Sequence, residues 1–231
     1  MTDRTALLAR LSSAVASATA EELPGRLCEA SQGVLGADGA SITVASSITN
    51  RLTLGATDAT ASQIEDLHDV LGQGPFMDAF RTGLPVVSAL DSESDRWPVF
   101  TEAVLRKTPA AALVGLPMRT GSTVLGVLGL YLTGRHTLAE PVESALVLAD
   151  ALCAALVHDP ALYAEDLSGG PWASRAVVHQ ATGMVVAQLH VPVNDALALL
   201  RAHAFLLDVE LAVIAQEVLD GDISFRLENP T

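Results

Sequence analysis

Two apolar runs, Ala111–Met118 and Val124–Leu132, with Arg119-Thr120-Gly121-Ser122 in the short gap between them, constrain this chain more than any other feature. Each is rich in Val and Leu, and a short glycine-bearing gap between two such runs specifies an antiparallel hairpin. Ala40–Ala45 and Leu52–Ala56, flanking Thr49-Asn50-Arg51, read as a second hairpin, and Pro85–Ser88 as a brief strand. The segments between and around them carry helical spacing instead. Leu7, Leu11, Val15 and Ala18 line one stripe, and Leu23, Leu27, Ala30 and Val34 a second, closed by Gly36. Glu65–Leu71 is helical, Gly72-Gln73-Gly74-Pro75 turns the chain, and short helices begin near Met77 and at Asp95. A helix over Pro141–Leu156 completes the set. This order predicts an α+β domain, an antiparallel sheet flanked by helices.

Beyond it the pattern becomes purely helical. Pro160 and Ser168-Gly169-Gly170-Pro171 mark a joint, so residues 1–158 are expected to form the larger domain, 159–171 a linker and 172–231 an all-α three-helix bundle. In the first of the three helices, Trp172–Leu189, Val178, Ala181, Val185 and Leu189 share a face. Gly183 interrupts that helix at a cost of about 1 kcal/mol against alanine, which is read as tight helix packing ahead of contact with a partner molecule. The second helix opens at Val191-Pro192 and runs through Leu197, Leu200 and Leu207. The third carries Leu211, Ile214, Ala215 and Val218 between a capping Asp208 and a closing Gly221.

Charge bounds the partners. The 231 residues carry a formal charge of −14, and Lys107 is the single lysine, which excludes general attraction to nucleic acid or an anionic membrane. From Trp172 onward the cations are Arg175, Arg201 and Arg226 against seven acids. Ser144–Val157, the longest apolar candidate, has 14 residues with Asp150 among them, short of the roughly 20 needed to span a bilayer. With no signal peptide and only Cys28 and Cys153, a cytoplasmic protein with no membrane contact is expected, its cysteines small buried hydrophobes or else a sensing disulfide pair.

Catalytic constellations are lacking. No Walker-type loop, Gly-x-Ser-x-Gly elbow, His-Glu-x-x-His or Cys-x-x-Cys occurs, and Asp91-Ser92-Glu93-Ser94-Asp95 reads as a solvated turn. His179 and His203 have no Cys or carboxylate at ligand spacing, so neither a metal nor any other cofactor is expected, and the chain is read as a non-enzyme.

Two family resemblances follow from ordered landmarks. Arg175, His179-Gln180-Ala181-Thr182-Gly183-Met184, Asp195-Ala196, Leu200-Arg201-Ala202-His203-Ala204, Leu211 and Ile214-Ala215 resemble the ANTAR domain, a three-helix module of bacterial antitermination regulators that binds paired RNA stem-loops. Where many members carry Ala-Lys-Gly, this chain has Ala181-Thr182-Gly183. The resemblance implies RNA contacts at Arg175, His179, Gln180, Thr182, Arg201 and His203, and prevention of transcription termination.

Upstream, Leu71-Gly72-Gln73-Gly74-Pro75, Asp78-Ala79, Thr82–Val86, Arg96-Trp97-Pro98 and Gly126–Tyr131 resemble a GAF domain of the kind that precedes ANTAR modules. That resemblance implies a small-molecule pocket on one sheet face, for which Phe76, Met77, Phe80 and Trp97 are the candidate lining, against ordinary core packing of the same large side chains. Relatives often carry cysteine after the Gly-Pro; Phe76 removes thiol chemistry there, and His68 is placed in a polar helix. The resemblance also implies a homodimer, with Val142, Leu146, Ala149, Leu152 and Leu156 as a seam that faces either a second copy or the domain's own sheet. The rival to an RNA-binding regulator is a dimeric sensor module whose acidic bundle binds a protein partner and has no RNA affinity. Duplex-DNA reading is disfavoured because neither later helix offers base- and phosphate-reaching residues.

Overall fold

The computed structural model describes residues 4–15, 19, 22–47, 50–90, 96–134, 137–157 and 171–225, and the chain divides into two compact units. One comprises Met1–His68 with Gln73–Glu165, the other Asp69–Gly72 with Asp166–Thr231. The expected linker falls mostly outside the described residues.

The first unit runs α1 (Arg4–Val15), α2 (Leu23–Leu35), β1 (Gly39–Ser47), β2 (Asn50–Ala56), α3 (Ala59–Leu71), α4 (Pro75–Thr82), β3 (Val86–Ala89), α5 (Pro98–Lys107), β4 (Ala112–Thr120), β5 (Thr123–Leu132) and α6 (Val142–Val157). Its strands form one antiparallel sheet in the order β2-β1-β5-β4-β3. The predicted α+β class is the observed one. Boundaries moved where local chemistry is stronger than pattern. Pro24, Pro75 and Pro98 open α2, α4 and α5, where a missing N–H costs nothing, so α5 begins three residues later than expected. Asp58 Oδ1 accepts the Ala61 N–H at 2.8 Å, which starts α3 well before Glu65. Both hairpins turn more tightly than read: Arg51 lies inside β2, and only Gly121 and Ser122 separate β4 from β5, with Gly121 at φ 62°.

Register sorts the two faces of the sheet. Residues directly opposite each other share a face, so Ile42 with Leu128, and Val114 with Leu130, point one way. There they meet Leu27 and Leu35 of α2 and Leu148, Leu152 and Leu156 of α6 in a single apolar core. The seam read on α6 is therefore directed at the domain's own core, with Ala149, Leu152 and Leu156 buried and Val142 and Leu146 half-buried on it. The opposite face carries Ser41 with Gly129, and Gly39 with Tyr131. It is small and polar, and α3 and α4 cover it.

In the second unit, α7 (Pro171–Leu189), α8 (Val193–Leu207) and α9 (Leu211–Asp220) enclose Ala181, Val185, Ala196, Leu200, Ala204, Ile214, Ala215 and Val218, the three-helix bundle the periodicity predicts. Asp208 does not cap α9 as expected. It sits at φ 58°, ψ 40° and closes α8, its N–H bonding back to the last turn, while Glu210 precedes α9. Aspartate tolerates the left-handed region far better than the apolar residues around it. Gly183 also departs from expectation: it is exposed, and a Cβ built on it would meet nothing within 4 Å, so tight helix packing does not account for it.

Candidate functional site

The polar face of the sheet holds a buried charge network. Arg51 Nη2 donates to Glu65 Oε2 at 2.7 Å, and the Ser41 hydroxyl donates to Glu65 Oε1 at 2.7 Å. Both charged side chains are almost completely buried. Burial pushes the Glu65 carboxyl up, but the Arg51 guanidinium and the Ser41 hydroxyl outweigh it, and the net displacement is downward. Glu65 is thus a carboxylate held by one guanidinium and one hydroxyl.

One turn along α3, His68 is fully buried rather than part of a polar surface. Its ring stacks on Phe76 at 4.4 Å between centroids and tilts against Phe100 at 4.3 Å. Nδ1 lies 2.8 Å from the Ile64 carbonyl and must donate to it, which leaves Nε2 to accept the Phe76 N–H at 3.2 Å. His68 therefore latches the first turn of α4 as a neutral imidazole. Burial lowers its pKa to about 3, with Arg51 adding to the shift and Glu65 and the Ile64 bond opposing it. Gly74, at φ 130°, lets the chain pass the ring: a Cβ there would lie 2.6 Å from His68 Nε2.

Phe76 packs its buried ring against this face of the sheet. With Gly39, Ser41, Ala61, Ile64, Gly129 and Tyr131 it lines a crevice with no room for a water molecule. A side chain on Gly129 would run into the Phe76 ring. Of the four residues expected to line a pocket, Phe76 is in the wall of this crevice, Met77 and Trp97 are buried outside its lining, and Phe80 is half-buried. Trp97 instead supports the Arg96 guanidinium, 4.5 Å over its ring, and Arg96 and Arg81 both reach the largely buried Asp78 carboxylate. Arg51, Glu65 and His68 were missed by sequence reading. The one available signal was the three-residue spacing of Glu65 and His68, which puts both on one helix face.

Neither cysteine offers thiol chemistry. Both are buried and free, and burial pushes the Cys28 thiol up to about 12 and the Cys153 thiol upward as well. Among the described residues no group of His, Cys, Asp or Glu is arranged to hold a metal ion. No single described helix is long and apolar enough to cross a membrane.

In the second unit, the residues implicated in RNA contact are dispersed. His179 and Gln180 are exposed on α7, on the same side as Gly183. Thr182 is turned inward, 5% exposed, with its hydroxyl donating to the Val178 carbonyl at 2.7 Å. Arg201 is half-buried and its Nε donates to the Asp69 carbonyl at 2.7 Å within the unit. His203 is half-buried with its ring edge-on to Phe225 at 5.4 Å. Arg175 lies in α7; its side chain is outside the described set.

His68 sets a pH dependence. Its folded pKa lies below its ordinary 6.5, so the unfolded chain binds the extra proton, and stability present at neutrality falls as pH drops from about 6.5 toward about 3. By pH 5 the loss attributable to His68 is expected to reach roughly 2 kcal/mol. Urea unfolding across pH 5–7 should show a flatter dependence for His68→Gln; identical slopes would remove His68 as the source.

The GAF domain family pattern matches residues 17–158, and no curated protein matches the chain. Among solved structures, the GAF domain of a phosphoenolpyruvate-protein phosphotransferase from Acinetobacter is 16% identical over 71% of this chain and 99% of that one, with a TM-score of 0.52. The corresponding domain from Coxiella burnetii is also 16% identical, over 69% and 96%, with a TM-score of 0.52. At such identities these likenesses speak to the fold alone. With the family pattern spanning more than half of its length, and an antiparallel five-stranded sheet between two helical layers, the chain belongs to the GAF domain family.

Proposed function

We propose that this protein is a cytoplasmic, non-enzymatic transcription regulator in which a GAF sensor governs an ANTAR-like bundle that binds RNA stem-loops and prevents termination. The observation that carries the reading is the surface of α7. His179, Gln180 and Gly183 share one exposed side, while Ala181, Ala196, Leu200, Ile214 and Ala215 of the same motif fill the bundle core. An exposed mid-helix glycine with open space above it gives a phosphate backbone room to approach a helix, a use that its helix-weakening effect otherwise leaves unexplained. Arg175, four residues before His179, adds the cation. Thr182 and Arg201 have intramolecular partners and take structural roles. Two chains acting together would grip paired hairpins and raise apparent affinity by effective concentration, through surfaces other than the α6 seam.

Filter binding to a tandem-hairpin RNA tests the reading. Affinity should fall steeply with salt and drop about tenfold in Arg175→Glu. The absence of any RNA binding at low salt would favour the rival reading, an interaction module for a protein partner. That alternative is supported by the five exposed acids of the second unit, Asp195, Asp208, Glu210, Asp220 and Asp222.

A further inference from the structure

The helix α8 is apolar on two sides. Ala196, Leu197, Leu200 and Ala204 face the bundle core, as an amphipathic helix requires. Asp195, Leu199, Ala202 and Leu206 recur at four-, three- and four-residue steps on the other side, and all are exposed, Leu199 by 37% and Leu206 by 77%. Val209, 36% exposed, follows immediately after the helix. This is the spacing of a helix-pairing seam, with a small residue between two leucines where another helix can approach closely. An exposed stripe of large apolar groups is a liability that an unpartnered soluble surface avoids.

Charge identifies the occupant. Asp195 stands at one end of the stripe and Glu210 beyond the other, and among the described side chains of the second unit every fully exposed charge is an acid. Pairing with a second copy would bring acid onto acid in either direction: Asp195 against Asp195 if parallel, against Asp208 and Glu210 if antiparallel. Such juxtaposition is costly. A polyanion is repelled from the same face for the same reason. We infer that the outer face of α8 docks a cationic amphipathic helix of a partner protein, with leucine-type side chains against Leu199 and Leu206 and lysine or arginine spaced about 20 Å apart to meet the two acidic ends. The site is separate from the α7 surface assigned to RNA, and it stands whether or not RNA binds.

The probe is a labelled Leu/Lys peptide of about 18 residues with leucine at helical i, i+3, i+4, i+7 spacing, measured by fluorescence anisotropy against the full chain. A scrambled peptide of identical composition, unable to form an apolar stripe, separates this docking from general attraction to an acidic protein. The ordered peptide should bind at least about tenfold more tightly than the scrambled one, and Leu206→Asp or Leu199→Asp should abolish that difference. Asp195→Asn with Glu210→Gln should weaken binding about three- to tenfold and reduce its salt dependence. Val87→Asp, an exposed site in the first unit, should change nothing. Equal affinity for both peptides, or unchanged binding by the two leucine variants with intact circular dichroism, would overturn the assignment. So would a fall in the sedimenting mass of the peptide-free chain on Leu206→Asp, which would give the face to a second copy.

Discussion

Replacing Arg51 with methionine is expected to lower the stability of the GAF domain by about 3–5 kcal/mol, because it leaves the Glu65 carboxylate buried without its guanidinium. Among the described residues, the Ser41 hydroxyl is the hydrogen-bond partner it would keep. A single buried hydrogen bond cannot replace an ion pair for a charge cut off from water. The sign of the pH response then reverses for that residue. In the wild type the Glu65 pKa is lowered below 4.5, so its contribution is present above 4.5 and is lost as pH falls through the folded value. Without Arg51 burial dominates and the folded pKa rises, so the variant recovers part of its deficit on acidification. Adding Glu65→Gln removes the stranded charge while keeping an acceptor for Ser41, and the double variant should be more stable than Arg51→Met alone. Urea midpoints at pH 7 and pH 5 would check both statements. A double variant no better than the single would show that Arg51 acts through packing.

The second large effect concerns Phe76 and the crevice it lines. Phe76→Ala is expected to cost about 3–5 kcal/mol, since it removes a fully buried ring from between Gly129 and the His68 imidazole and leaves a cavity behind. Gly129→Ala in the wild type should cost about 1–3 kcal/mol, because the new methyl meets the Phe76 ring and lies 2.6 Å from Ser41 Oγ. Neither neighbour yields easily: the ring is held by His68, and the hydroxyl is bonded to Glu65. With Phe76 already reduced to alanine, the penalty at Gly129 should shrink by at least about 1 kcal/mol, a coupling characteristic of residues in contact. Strict additivity would mean that Phe76 does not occupy the place described. The amide and the ring of Phe76 are both held by His68, so the two residues move as one unit.

Much of this architecture can be read from residue order. The Val- and Leu-rich hairpin, the glycine and proline punctuation and the three helical stripes each follow from local chemistry, and each element has its counterpart in the structure. The site is harder to read. Arg51 looks like part of a polar turn beside Asn50, and only its pairing with Glu65, fourteen positions away, makes burial of either tolerable. His68 lies between Leu67 and Asp69, and nothing near it in sequence announces that Phe76 and Phe100 will enclose it. Phe76 itself is visible as a large apolar residue after a Gly-Pro turn, yet the room for its ring against the sheet depends on Gly129, more than fifty positions downstream. Thr182 and Asp208 are ambiguous for a local reason. A threonine hydroxyl can return to its own helix, and an aspartate can end a helix as well as start one.

The alternation along β5 has a further consequence for how this polypeptide finds its native alignment. Leu128 and Leu130 face one layer while Gly129 and Tyr131 face the other, so sliding β5 by a single position against β1 would drive leucines at Ser41 and Glu65 and put a bare glycine and a phenol among the aliphatic side chains of α2 and α6. A one-residue slip is thereby excluded, and the pairing that excludes it joins two strands more than seventy positions apart in the chain.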